Sequence, residues 1–448
     1  MAAPLCVIIL AAGKGTRMKN ALPKVLHPLA GRKLIEHVLA SAEALAPAST
    51  VVVLGPAMDD VASVVGRSRL APAVALQEPQ LGTGHALMAA KALLPEAGTV
   101  LVMFGDTPLL TDATLRRLIE AREADDAAVA VLGIRPAEPS GYGRLRIEGG
   151  RLVEIVEDRH AGAALKQHAA CNSGVMAFDA ARLGSLLEKL KLRPEKGEYY
   201  LTDAVGLAVA RGWACLAIEG PAEEGLGVNS QAQLAEVGQI VQRRLRERAL
   251  AQGVIMPAPE TVFLAADTEI GPGALIEPHV VFGPGIRVGP EAVIHAFSHL
   301  EKAVVAAGAE IGPFARLRPG SEIGEGAKIG NFVETKNTRL APGAKANHLT
   351  YLGDTVVGAK ANIGAGTITC NYDGFGKYPT QIGAGAFIGS NTALVAPVTI
   401  GAEAIVAAGS VVTRDVPDDG FAIARARQET REHRAGWLRE RFRRRKQG

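Results

Sequence analysis

The sequence predicts two architectures in tandem: an α/β domain built on a largely parallel sheet, then a parallel β-helix, with one helix between them. Three observations carry this reading. Short apolar runs alternate with amphipathic ones through the first half, the pattern of βα units. After Gly253 an aliphatic residue recurs at every sixth position, two times in three followed by Gly. Between the two regions Leu234, Val237, Val241 and Leu245 keep helical spacing.

Within the first region, Cys6 to Leu10, Thr50 to Leu54 and Thr99 to Phe104 are short runs without a polar face, as strands covered on both sides require. Leu34 to Leu45, Leu115 to Ala121 and Leu183 to Leu190 space their apolar residues by three and four, which predicts helices. This domain is bounded as 1–229. Ser230 stands where an N-cap belongs and Gly253 lies just past the last turn, so 230–252 reads as one linker helix. Its other face, Arg243, Arg244, Arg246, Glu247 and Arg248, reads as solvated.

The region 253–424 holds 25 glycines against 24 in the first 252 residues, and the repeat explains the shift. Ile270, Ile276, Phe282, Val288, Ile294 and Leu300 keep one register; after a slip it resumes at Ile311, Leu317, Ile323 and Ile329. Leu340, Ala346, Leu352, Val357 and Ile363 follow, then Ile382, Ile388, Leu394, Ile400 and Val406. A period of six fits a chain coiling in flat-sided turns, each aliphatic residue stacked on its equivalent one coil away while the small residue after it permits the corner. At about three hexads per coil, roughly eight coils are expected. The longest break, Thr369 to Ile382, marks an inserted loop that begins Cys370-Asn371-Tyr372-Asp373-Gly374, and function tends to sit in such loops.

With 448 residues and 48% hydrophobic content the chain has ample material for buried cores, which excludes a disordered chain or a bare peptide module. A formal net charge of +3 sets up no field that demands nucleic acid or membrane. The basic charge is concentrated in the tail 425–448, with ten Lys or Arg against three Glu. Cys6, Cys171, Cys215 and Cys370 lie far apart without metal-ligand spacing, which argues against a zinc site or disulfide framework and fits a reducing cytoplasm. Gly13, Lys14 and Gly15 interrupt the apolar run from Leu5 to Ala12, so it reads as a core strand rather than a signal peptide. No run approaches the roughly 20 apolar residues that span a bilayer.

The turn Leu10-Ala11-Ala12-Gly13-Lys14-Gly15-Thr16-Arg17-Met18 follows the first strand, where its glycines would aim backbone N–H groups at an anion. It matches neither the dinucleotide fingerprint nor a P-loop, and alone it is a weak signal. Arg17 and Lys24 add two cations, as a polyphosphate requires. Asp106 ends the strand Thr99 to Phe104 on the side where open α/β sheets bind ligands, and a carboxylate beside phosphates usually serves Mg²⁺. Capping of the next helix falls better to Thr111 or Asp112. Of five histidines beyond Gly253, His279, His295 and His299 are expected on the coil surface without polar partners, and His433 belongs to the tail. His348 stands among Asn347, Tyr351 and Asp354 next to a register break and is the candidate base, since imidazole titrates near neutrality. The repeat alone fits a plain structural array as well as an enzyme.

LAAGKGTRM, LPKVLH, Gln80 to His85, FGDTPL, Gly141-Tyr142-Gly143-Arg144, Glu198 to Asp203 and Gly227-Val228-Asn229 together resemble nucleotidyltransferases that make nucleotide sugars. Followed by hexapeptide repeats containing Asn347-His348-Leu349-Thr350-Tyr351-Leu352-Gly353-Asp354, the chain from about Leu5 to Arg425 resembles the bacterial bifunctional N-acetylglucosamine-1-phosphate uridyltransferase and glucosamine-1-phosphate acetyltransferase family. The resemblance implies a Rossmann-like nucleotidyltransferase domain and a left-handed β-helix. It implies that Leu10, Ala11, Ala12, Gly13, Lys24, Gln77, Gly82, Thr83, Phe104 and Gly105 hold the uridine nucleotide, that Asp106 and Asn229 hold Mg²⁺, and that Gly143, Glu157, Asn172 and Tyr200 to Thr202 contact the sugar. Phe104 stands where the family commonly has Tyr, a change that leaves Asp106 unaffected.

For acetyl transfer the resemblance implies His348 as base, Arg318, Lys336, Tyr351 and Asn362 for glucosamine 1-phosphate, and Ala365, Asn371, Tyr372, Ser390, Ala408 and Arg425 for acetyl-CoA. Ser390 also fits as a small corner residue. UTP and acetyl-CoA are the implied co-substrates, a homotrimer sharing sites the implied assembly, and precursors of peptidoglycan and outer-envelope glycans the implied output. A cytoplasmic enzyme with neither nucleic-acid nor stable membrane partners is expected. The Arg-rich tail would suit RNA, acidic lipid or the 3′-phosphate of CoA, and reads first as a floppy solubilising end. Two alternatives remain at this stage: a single-activity nucleotidyltransferase with a regulatory β-helix, as in ADP-glucose enzymes, and a non-catalytic scaffold of the same two domains.

Overall fold

A computed structural model describes residues 3–446; the outermost residues of the segments 1–229 and 425–448 lie outside the described residues. The chain divides into two compact units between Leu245 and Arg246, inside the helix Gln231–Ala251.

In the first unit seven strands form the main sheet in the order Cys215–Glu219, Val129–Ile134, Cys171–Asp179, Thr99–Phe104, Leu5–Leu10, Ser49–Leu54, Ala73–Leu76. All are parallel except Cys171–Asp179, which runs antiparallel to both its neighbours. The absence of a polar face in Leu5–Leu10 now has its cause. Cys6, Ile8 and Leu10 enter one core with Leu87, Leu183 and Leu186, while Val7, Ile9 and Ala11 enter the other with Ile35, Val38, Leu115 and Leu118. Each such side chain, fully buried, stabilises by about 1.5–3 kcal/mol.

The helices begin at capping residues that apolar periodicity does not see. Asp112–Ala124 starts at Thr111, whose hydroxyl accepts from the N–H of Thr114 at 3.3 Å. Ala180–Leu187 starts at Asp179, which accepts from the N–H of Arg182 at 2.9 Å and so begins before the expected Leu183. Ser230 accepts from the N–H of Gln233 at 3.3 Å, and Gly253, at φ 87°, follows the end of Gln231–Ala251. The basic face of that helix is more engaged than expected: Arg243 pairs with Glu223, Arg244 donates to the carbonyl of Leu109 at 2.8 Å, and Arg246 donates to that of Glu260 at 2.8 Å.

In the second unit three short strands per coil stack into parallel ladders. One column runs Leu275, Val293, Glu310, Lys328, Lys345, Asn362, Phe387, Ile405, Phe421, nine rungs rather than about eight. The inward neighbours Ile276, Ile294, Ile311, Ile329, Ala346, Ile363, Ile388 and Val406 are all buried. At the slip after Leu300, Val305 pairs with Val288 and Ile323, so the core ladder is unbroken and one corner is a residue shorter. All four cysteines are free, and burial pushes the thiol of Cys215 up to about 11, which leaves it unreactive at neutral pH.

Candidate active sites

Leu10 and Phe104 are partners at the carboxyl ends of adjacent strands. From Leu5–Leu10 the chain steps outward to Ser49–Leu54 on one side and returns as Thr99–Phe104 on the other, which makes this the switch point where such sheets hold ligands. A cavity of about 690 Å³ opens there. Of the residues expected in the nucleotide site, Leu10, Ala11, Ala12, Gly13, Arg17, Lys24, Gln77, Gly82, Thr83, Phe104, Asp106, Glu157, Asn172, Tyr200 and Thr202 line it.

Lys24 is the hub. Its ammonium pairs with the carboxylate of Asp106 and donates to Oδ1 of Asn229 at 3.0 Å, and Arg17 donates to the same Oδ1 at 3.0 Å. Gly15, at φ 63°, makes this possible, because a Cβ there would stand 2.7 Å from Cβ of Lys24. Asn229 is not among the lining residues, but the N–H of Val228 donates to the carbonyl of Asp106 at 2.9 Å and ties the two loops together. Two hard oxygen donors therefore converge on one cation, a donor set that suits a metal completed by water or phosphate oxygens.

Gly105 and Gly143 act by packing rather than lining. A Cβ at Gly105 would meet Ala11 at 3.0 Å, and the carbonyl of Gly143 accepts from the N–H of Asn172 at 2.8 Å. Gln77 donates to the carbonyl of Gly82 at 2.9 Å, Thr83 accepts from the N–H of Leu201 at 3.2 Å, and Thr202 donates to Glu157 at 3.4 Å. The ring of Phe104 lies over Gly174, where a Cβ would stand 2.8 Å from its Cε2. Sequence reasoning missed Lys14, Gln80, Lys196 and Glu198 as lining residues. Lys14 and Gln80 lie inside stretches already singled out, whereas Lys196 carries no local signal.

In the second unit the coil register sorts the expected residues into two columns. Asn331 and His348 are direct partners, and Ala365, Ser390 and Ala408 follow two places after Ile363, Ile388 and Val406, at the same corner of successive coils. Arg425 comes one residue after the next rung of that column. Nδ1 of His348 lies 2.7 Å from Oδ1 of Asn331. With Oδ1 as the acceptor, the bond matches the tautomer that carries its proton on Nδ1 and leaves the lone pair on Nε2, the form a base requires. The sequence placed Asn347 beside His348; the partner comes instead from one coil earlier.

Arg318 and Lys336 occupy consecutive rungs one place after the partners Leu317 and Thr335, in a different ladder from Asn331 and His348. The next rung is Gly353, the partner of Lys336. A Cβ on it would meet the Tyr351 hydroxyl at 2.5 Å and the Asn371 amide at 2.7 Å, so both polar groups fill its space. Asn371 is buried and donates to Asp354 at 2.5 Å, while Tyr372 is exposed and donates to the carbonyl of Gly374 at 2.7 Å. Asn362 lies on a different face, between Lys345 and Phe387. Lys377, which sequence reasoning did not single out, stands within hydrogen-bonding reach of Lys336, and this contact, then its charge and that of Arg318, hold the Lys336 ammonium below the usual lysine range. Arg318 itself donates to Glu334 at 2.7 Å.

Directly beyond the His348 corner runs a ladder of exposed rings. His279 stacks on Phe297 at 4.9 Å, Phe297 on Phe314 at 4.9 Å and Phe314 on Phe332 at 5.2 Å, with Leu349 on the following rung. His295, expected without polar partners, bridges Glu277 and Glu310 at 3.0 Å each.

Residues 7–171 match the family model of the MobA-like NTP transferase domain, and residues 379–414 that of the bacterial transferase hexapeptide with six repeats. The bifunctional protein GlmU of Rhodospirillum rubrum is 55% identical over 96% of this chain and 95% of its own length. Those of Xanthobacter autotrophicus and Agrobacterium fabrum are 54% and 49% identical, each over 97% of this chain and 96% of the relative. An α/β nucleotidyltransferase domain joined to a left-handed hexapeptide β-helix, matched at this identity over nearly the whole length, means that the chain belongs to the GlmU family of bifunctional transferases.

Proposed function

We propose that the protein acetylates glucosamine 1-phosphate with acetyl-CoA at the β-helix (253–424), and transfers uridylate from UTP to the resulting N-acetylglucosamine 1-phosphate in the α/β domain (1–229). Residues 230–252 join the two. The observation that carries the division of labour is that each unit has its own set of groups suited to one reaction: Lys24, Asp106, Asn229 and Arg17 in one, His348 with Asn331 and the Arg318, Lys336 and Lys377 cations in the other.

For uridylyl transfer the nucleophile is already an anion, so no base is needed and positioning with charge neutralisation does the work. Backbone N–H groups from Leu10 to Gly13 cradle the nucleotide phosphates, and Lys24 and Arg17 oppose the charge that develops on departing pyrophosphate. Asp106 and Asn229 would hold Mg²⁺, which supplies electrophilic stabilisation of the phosphate oxygens when bound. Gln77, Gly82 and Thr83 serve the uridine, and Gly143, Glu157, Asn172, Tyr200 and Thr202 the sugar.

For acetyl transfer, Nε2 of His348 takes a proton from the attacking amine, and the imidazolium that forms keeps its bond to Asn331. Arg318, Lys336 and Lys377 receive the sugar phosphate, with Tyr351 and Asn362 as further contacts. Asn371, Tyr372, Ala365, Ser390, Ala408 and Arg425 serve acetyl-CoA. The aromatic ladder beside His348 is the surface on which copies of this chain assemble, as a trimer in the cytoplasm. Among the described residues no helix is long and apolar enough to cross a membrane.

The test follows free thiol and pyrophosphate separately from glucosamine 1-phosphate, acetyl-CoA, UTP and Mg²⁺, with His348→Ala alongside. Both signals are expected in the parent, and thiol release should fall by about 10²–10⁴ in the variant. Pyrophosphate that forms only from preformed N-acetylglucosamine 1-phosphate, without thiol release from the parent, would overturn the acetyltransferase half.

A further inference from the structure

The helix Arg434–Arg445 is unused by either site. Every residue from Ile423 to Lys446 is exposed, so this helix packs against nothing in the described chain. An isolated helix of 12 residues is marginal in water, and this one has no side-chain cap at its start. Arg443, Arg444 and Arg445 in its last turn suit the dipole but add no burial.

Its composition is not that of an inert solubilising end. Positions 434, 437, 438, 441, 442 and 445 form one side at spacings of three and four, and that side carries Trp437, Leu438 and Phe442. Phe442 is 58% exposed and Trp437 42%. Arg434 lies over the Trp437 ring at 3.5 Å and Arg441 at 5.2 Å, so the cations on this side frame the indole rather than replace it. The opposite side holds Arg439 and Arg443, with Glu440 the one acid in the helix. Arginine stems can lie along an apolar surface while their heads reach anionic groups.

From this combination we propose that the helix is a reversible docking element for an anionic lipid surface, with Trp437, Leu438 and Phe442 at the level of the headgroups and the arginines paired with lipid phosphates. RNA would satisfy the arginines, but it would leave Leu438 and Phe442 with no apolar medium to enter. Each such amphipathic element by itself binds weakly and reversibly. The proposal is independent of the assignment of either active site.

The experiment is co-sedimentation of the full chain with vesicles of phosphatidylglycerol and phosphatidylcholine, against phosphatidylcholine alone, with uridylyl transfer as the check on folding. Binding is expected only with the anionic lipid, with loss at high salt and a blue shift of Trp437 emission in a Trp213→Phe background. An anionic surface strengthens binding about fivefold per basic residue, so Arg443→Glu with Arg444→Glu should weaken it by at least about 25-fold. Trp437→Ser with Phe442→Ser should weaken it by about tenfold or more at unchanged charge. Binding that ignores the aromatic substitutions, binding absent from anionic vesicles, or preferential capture by poly(U) at the same ionic strength would each overturn the proposal.

Discussion

In the first unit Asp106 and Asn229, far apart in sequence, converge on one lysine ammonium within a single chain. In the second, His348 and the Arg318–Lys336 pair stand in two different ladders, each repeating from coil to coil. The difference follows from how each fold brings residues together. A parallel sheet gathers the ends of several strands at its switch point and closes a cavity there. A β-helix stacks equivalents along an axis and makes an open groove, which needs another surface to wall it. Folding completes the first site; on the proposed reading, assembly completes the second.

The comparison breaks first at Asp106. Asp106→Ala removes an oxygen donor and leaves the Lys24 ammonium without its carboxylate, so uridylyl transfer should fall by at least about 10³ while thiol release from acetyl-CoA is unchanged. Loss of both activities in a folded protein would mean that the two sites are not separate. Next, Asn331→Ala frees the Nδ1 position of His348; turnover of acetyl transfer should drop by about 10–100-fold with little change in KM for acetyl-CoA, and an unchanged pH–rate profile would show that Asn331 does not set the tautomer.

Assembly is probed by Phe314→Glu, which puts a charge into the middle of the aromatic ladder. Light scattering should show the proposed trimer giving way to smaller species, with acetyl transfer reduced by about tenfold or more and uridylyl transfer kept. A trimer that persists would place the interface elsewhere. The mildest test concerns charge. Because Lys377 and Arg318 hold Lys336 below the usual lysine range, KM for glucosamine 1-phosphate should rise as the pH climbs through that lowered value and the ammonium is lost. Lys377→Ala removes the largest like-charge neighbour and should shift this limb to higher pH, and a stationary limb would assign it to another group.

Much of this was legible in the residues. The strands Leu5–Leu10 and Thr99–Phe104 declare themselves because both their faces are buried, and the six-residue ladder because every coil repeats the same packing demand. The Gly-rich turn, Asp106 and His348 are local patterns with a chemical reason. What stayed hidden depends on distance along the chain. Asn331 reaches His348 only because one coil brings position 331 under 348. The tail helix was missed because a run of arginines reads as a solvated end, although Trp437, Leu438 and Phe442 keep helical spacing within it.

By itself the sequence determined the order of the two architectures and the register of the repeat, since these follow from local periodicity and from corner-forming glycines. Only the tertiary structure decided that Lys24 bridges Asp106 and Asn229, that Gly353 opens the space Tyr351 and Asn371 fill, and that His348 holds its proton through Asn331. Those are contacts between segments that only the folded backbone brings within a few ångströms, and no neighbouring residue in the chain encodes that distance.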